Sequence, residues 1–144
     1  MLVRKKLKVT SGEIYKIFLE SLESEIEFCT GSKTTPKEGF KYEKEFKTKM
    51  GHKTTANVVV DKLVEDKSYK LIVNHNDDIN IVEYTLEEDE TGTIVTYFEE
   101  YDSNVKKNRI NHQITEFALT LITKHKAKKK LAMIEKYIIA NREV

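Results

Sequence analysis

The sequence predicts an α+β domain in β-α-β5-α order: a curved antiparallel sheet of about six strands with a long C-terminal helix across its apolar face. Three observations carry this. Hydrophobic residues recur at every second position through much of residues 39–101, the period of half-buried strands. They recur every third or fourth position through 13–30 and 114–140, the period of amphipathic helices. Short turn-forming stretches separate the successive strands, as in an antiparallel meander. The 144 residues make a single domain, long enough to bury a core without disulfides.

Taken in order, Val3, Lys5, Leu7 and Val9 alternate with Arg4, Lys6 and Lys8, a strand with one wet face. Thr10-Ser-Gly-Glu13 has the spacing of a capping box. Behind it Ile14, Phe18, Leu22 and Ile26 form a helical stripe widened by Tyr15, Ile17 and Leu19, and Gly31 is placed to end it. In the next strand Phe40, Tyr42, Lys44, Phe46, Thr48 and Met50 share one face. The other face, from Lys41 to Lys49, is wholly charged. Residues 55–64 and 68–73 are strands parted by Glu65-Asp-Lys67, and Asn74-His-Asn-Asp-Asp78 is a run of turn formers. Residues 79–86 and 93–101 are the last strands, joined by the loop 87–92, whose Gly92 suits a positive φ.

Ile114, Phe117, Ala118, Leu121, His125, Leu131, Ile134 and Ile138 then mark the terminal helix. One rod over residues 104–141 would span about 57 Å, against a diameter near about 37 Å for a compact domain of this size. Residues 103–110 are therefore expected as a loop or short separate helix, with the long helix starting near Asn111, a good cap.

Several function classes are excluded early. The single cysteine, Cys29, cannot form an internal bridge, so nothing points to an oxidising compartment. No apolar run approaches the roughly 18 residues of a membrane span, and the basic start has no apolar stretch behind it as a signal peptide would. The expectation is a soluble, cytoplasmic protein. Net charge is +1, yet residues 61–100 carry −9 and residues 101–144 carry +6. The simplest reading is a basic helix packed across acidic strands.

Thr30-Gly-Ser-Lys33, Gly39-Phe-Lys-Tyr42 with Phe46 and Lys49-Met-Gly51, and Lys126-Ala-Lys-Lys-Lys-Leu131 running into Ile134-Glu135 give the chain a family likeness. It resembles the START-like superfamily and, within it, a bacterial family called domain of unknown function 3284. The likeness spans almost the whole chain, and its motifs are structural rather than chemical. It implies a helix-grip fold, in which a curved antiparallel sheet wraps a long C-terminal helix and often leaves a cavity. The lining is then expected from Phe40, Tyr42, Phe46, Tyr69, Leu71, Tyr84 or Tyr97, Phe117 and Leu121, unless these side chains simply fill the core. Lys44 interrupts its apolar face, either to anchor a ligand's carboxylate or phosphate or to snorkel from a sheet end. Glu83 interrupts the face of Ile79, Ile81 and Thr85, and no spacing argument brings it to Lys44.

The four histidines His52, His75, His112 and His125 lack a second ligand at metal spacing, so no metal is expected. No glycine-rich phosphate loop or nucleophile elbow is present, and no cofactor is implied. Cys29, at the end of its helix, reads as a half-buried structural thiol. Lys124-His-Lys-Ala-Lys-Lys-Lys130 places five lysines in seven residues. The run either contacts phosphates of nucleic acid or anionic lipid or is a solvated helix face complementing the helix dipole, and its lack of aromatics to stack and of arginine to read bases argues against nucleic acid. The leading expectation is non-enzymatic binding of a small apolar or amphipathic molecule, or of a partner protein, at the sheet–helix groove. One alternative is a cyclase- or hydratase-like enzyme with Glu83, Tyr84 or Tyr97 as acid or base. Another is an interaction module acting through the basic helix. The apolar end Tyr137-Ile-Ile-Ala140 invites a homodimer.

Overall fold

The computed structural model describes residues 1–47, 51–76, 78–103 and 124–142. Strand β1 (Leu2–Leu7) leads into helix α1 (Ser11–Thr30). Five strands follow: β2 (Lys41–Lys47), β3 (Lys53–Val64), β4 (Ser68–His75), β5 (Asp78–Asp89) and β6 (Gly92–Ser103). Helix α2 (Lys124–Arg142) completes the described chain. The six strands form one antiparallel sheet in the order β1-β6-β5-β4-β3-β2. Everything between β2 and β6 pairs with its sequence neighbour, and only β1 crosses over, laying Leu2 opposite Phe98.

Local chemistry accounts for the boundaries. Thr10 caps α1: its Oγ1 accepts from the Glu13 N–H at 3.1 Å, and Glu13 accepts from the Thr10 N–H at 3.0 Å. The stripe Ile14, Phe18, Leu22 and Ile26 is buried, each side chain contributing about 1.5–3 kcal/mol on removal from water. Gly31 ends the helix in the left-handed region (φ 77°), its N–H donating to the Glu27 carbonyl. In β3 the pairing shifts at Asp61, between Val60 and Lys62. The bulge bends the strand and keeps Leu63 beside Tyr69.

The hairpins are tighter than their composition suggests. Residues 87–89 are strand rather than loop, and the turn after them is closed by Asp89, whose Oδ1 accepts from the Thr91 and Gly92 N–H groups at 2.7 and 3.1 Å. Likewise β4 continues through His75, which pairs with Asp78. His75 is therefore a fully buried strand residue rather than part of a turn. The expected helix start near Asn111, and with it Phe117 and Leu121, lies outside the described residues. Within α2 the buried stripe is Ala127, Leu131 and Ile138, whereas His125 is exposed.

Helix α2 packs on β1 and α1, and Lys130 of its lysine run borders the same space as Glu25 and Glu99. The acidic hairpin is engaged by the chain's start: Lys6 pairs with Asp89 at 2.8 Å, and the Ser11 N–H donates to Glu88 at 2.7 Å. Arg142 instead reaches back to the capping residue Glu13, its Nε donating at 2.7 Å. The Arg142 bond, ahead of the smaller opposing effect of burial and the bonds from Thr10, lowers the Glu13 carboxyl from 4.5 to about 2. Because the folded value is depressed, the stabilisation is complete above pH 4.5 and disappears as pH falls through about 2. For so exposed a pair, screening limits its worth to about 1 kcal/mol. Glu13→Gln is accordingly expected to cost about 1 kcal/mol at neutral pH. The gap from the parent should close in acid, as followed by urea unfolding at several pH values.

Candidate functional site

The inner face of the sheet, α1 and the start of α2 line a half-open cavity of about 410 Å³. Its walls follow from strand alternation. Ala56 and Val58 come from β3, Leu71 and Val73 from β4, and Val82 from β5, all on one face. Tyr69, Tyr84 and Tyr97 stand in register across three adjacent strands. Their rings form a contiguous aromatic row, with Tyr84 centred 6.0 Å from Tyr69 and 5.0 Å from Tyr97. Phe18 of α1 closes over the row at 4.4 Å from Tyr84. Burial holds the Tyr69 and Tyr84 hydroxyls above the ordinary phenol range, with smaller contributions from neighbouring carboxylates.

Two polar centres interrupt the apolar wall. At the first, Glu25 of α1 receives the Lys44 ammonium at 2.6 Å and the Tyr42 hydroxyl. Burial raises the Glu25 pKa, but the hydrogen bonds from Lys44 and Tyr42 outweigh it and hold the carboxyl below its usual range. Burial and the same carboxylate push the Tyr42 phenol far up. At the second, Glu99 of β6 accepts from the Tyr97 hydroxyl and, at 3.3 Å, from Asn80 Nδ2 of β5. Both Asn80 and Glu99 are buried. Lys130, exposed overall, still reaches the cavity rim. Desolvation and then Lys44 make its ammonium more acidic than a free lysine.

The structure brings together Lys44, Phe46, Tyr69, Leu71, Tyr84 and Tyr97 on the cavity wall. Tyr42 and Phe40 pack beside it in the core, Tyr42 holding Glu25 rather than lining the space. Glu83 is not there. It alternates with Tyr84 to the opposite face of β5 and pairs with Lys62 at 3.9 Å. Lys44 neither sits unpaired nor snorkels freely; it is half-exposed and tied to Glu25. Sequence reasoning misses Glu25, Asn80, Glu99 and Lys130, although Asn80 and Glu99 share the inward parity of Tyr84 and Tyr97 on their strands. Among the described residues no group of three or more histidine, cysteine or acidic side chains is arranged to hold a metal. Burial, followed by the nearby Glu25, raises the Cys29 thiol pKa, which is opposite to an activated nucleophile.

Among the described residues no helix is long and apolar enough to cross a membrane. Similar solved structures place the fold. Ara h 8.0201 superposes with a TM-score of 0.63 at 10% identity, covering 97% of each chain. Protein NE0264 from Nitrosomonas europaea gives 0.64 at 9% identity, covering 100% of this chain and 96% of its own. Protein SA2116 from Staphylococcus aureus, described as of unknown function, gives 0.62 at 14% identity, covering 100% and 95%. These likenesses show the helix-grip fold. No curated protein matches the sequence. Residues 1–120 match the family described as Domain of unknown function (DUF3284), and the chain belongs to that family.

Proposed function

We propose that this domain binds a small amphipathic molecule in the sheet–helix cavity without transforming it. The observation that carries the reading is the cavity itself. At about 410 Å³ it falls in the range of small-molecule sites, about 300–1,000 Å³, and it combines apolar walls with a few fixed polar groups. The tyrosines suit recognition better than catalysis. Phenols with raised pKa values stay protonated, so they meet a ligand as neutral hydroxyls rather than as bases. Glu83, the carboxylate expected to work with them, faces away. The domain's fold is shared with proteins of many roles, so the argument rests on the site rather than on the likeness.

Native mass spectrometry of protein taken from its host tests the reading directly, with a retained small molecule as the expected result. In parallel, the neutral dye N-phenyl-naphthylamine should brighten on binding the purified domain. Val82 stands mid-wall between Leu71 and Glu99 in the sheet register. Val82→Trp fills that space and should weaken dye binding about tenfold or more, about 1.4 kcal/mol, with the far-ultraviolet circular dichroism unchanged. Absence of any retained molecule, together with equal dye binding by both proteins, would defeat the proposal.

A further inference from the structure

Helix α2 buries Ala127, Leu131 and Ile138 on the side that packs on β1 and α1. Its opposite side is left to solvent. There Lys129, Met133, Lys136 and Ala140 are all exposed, and their spacing of four, three and four residues puts them on one helix face. Met133 is 63% exposed, and Tyr137, on the shoulder of that face, is 57% exposed. The helix is also strongly basic, with six lysines and one arginine against a single acid, Glu135. Lys124, Lys128, Lys129 and Lys136 are exposed and form no ion pair among the described residues. Glu135 is turned to the sheet edge, where it accepts from the Lys8 N–H at 2.6 Å. Towards α1 the face is bounded by Glu20, which shares a shallow groove with Tyr137.

These components suit the possible partners unequally. A second copy of the chain, meeting this face across a two-fold axis, would set lysines against lysines. Nucleic acid would engage the lysines, yet Met133 would have no base to stack on and would stay wet. An extended or helical peptide seeks a groove, whereas the helix offers a convex ridge about 28 Å long. An anionic lipid surface uses every part. Its phosphates meet the ammonium groups, Tyr137 suits the headgroup level, and Met133 reaches the acyl boundary.

We infer that α2 seats the domain on anionic lipid, lying in the plane of the headgroups with Met133 inserted and Lys129 and Lys136 on the phosphates. This is independent of the cavity-binding reading. The intact protein is sedimented with vesicles of phosphatidylcholine alone, and of phosphatidylcholine mixed equally with phosphatidylglycerol. It is expected to follow only the mixed vesicles, and less so as sodium chloride is raised. Lys129→Gln combined with Lys136→Gln should weaken partitioning about thirtyfold. Met133→Gln should weaken it about tenfold. All three positions are exposed, so the far-ultraviolet circular dichroism should not change. Equal binding to both vesicle types, or binding to neither, overturns the inference. Full binding by Met133→Gln also overturns it, because the contact would then be ionic adsorption without insertion. Tighter binding to a labelled DNA duplex than to the mixed vesicles would reassign the face to nucleic acid. A dimer in sedimentation velocity that Met133→Gln dissociates would reassign it to a second copy. The vesicle comparison uses the unsubstituted protein, so it decides the matter even if a variant does not fold.

Discussion

Gly92→Ala is expected to destabilise the protein by about 3 kcal/mol, more than a single added methyl group usually costs. Gly92 opens β6 with φ 152°, and a β-carbon there would stand 2.1 Å from the Leu7 carbonyl oxygen and 3.2 Å from Lys8 Cα. The obstacle is backbone, which cannot swing aside like a flexible side chain. Relief requires β6 to part from the corner between β1 and α1, where Thr93 Oγ1 also donates to the Val9 carbonyl at 2.7 Å. Gly31→Ala is the natural control. It too has a positive φ, 77°, but no neighbouring atom lies within 4 Å, so only the conformational cost of about 1 kcal/mol applies. Urea unfolding of the two variants measures the difference. Equal losses would show that the close approach at Gly92 is absent.

Phe18→Ala should rank with it, at about 3–5 kcal/mol. Phe18 is 7% exposed, and its ring lies 4.4 Å from Tyr84 and 5.6 Å from Tyr69. It is the main aromatic link between α1 and the tyrosine row. Truncation removes that contact and leaves a hole between helix and sheet that the regular strands cannot collapse to fill. Phe28, on the same helix, is 90% exposed, and Phe28→Ala should be close to neutral. A thermal-unfolding comparison in which both variants lose equally would contradict the packing described for α1.

Much of this architecture can be read directly from residue periodicity. The four-residue recurrence of Ile14, Phe18, Leu22 and Ile26 identifies the buried face of α1, and the capping box at Thr10 marks its start. Strand faces are harder. In β5 the stronger hydrophobes, Ile79 and Ile81, fall on the outer parity, whereas Asp78, Asn80, Val82 and Tyr84 face inward. Ranking by hydrophobicity therefore places Glu83 in the cavity, although it cannot share a face with its neighbour Tyr84. Glu25 is hidden for another reason. Among Glu20, Glu23 and Glu27 it looks like one more solvated charge, and only the packing of α1 beside β2 makes it the partner of Lys44 and Tyr42.

The pairing of β1 with β6 has a consequence for synthesis. A ribosome makes β1 first, yet its partner Phe98 follows 96 positions after Leu2. At typical elongation rates of about 5–20 residues per second, the finished first strand waits about 5–20 seconds for a mate. The meander from β2 to β6 can meanwhile zip up hairpin by hairpin, each needing only a short closure. During that wait Arg4, Lys5 and Lys6 give the unpaired strand a dense positive charge, the device that keeps free edges from annealing to other nascent chains. The basic residues of β1 thus protect it before Lys6 ever reaches Asp89, guarding the strand whose place in the sheet is decided last.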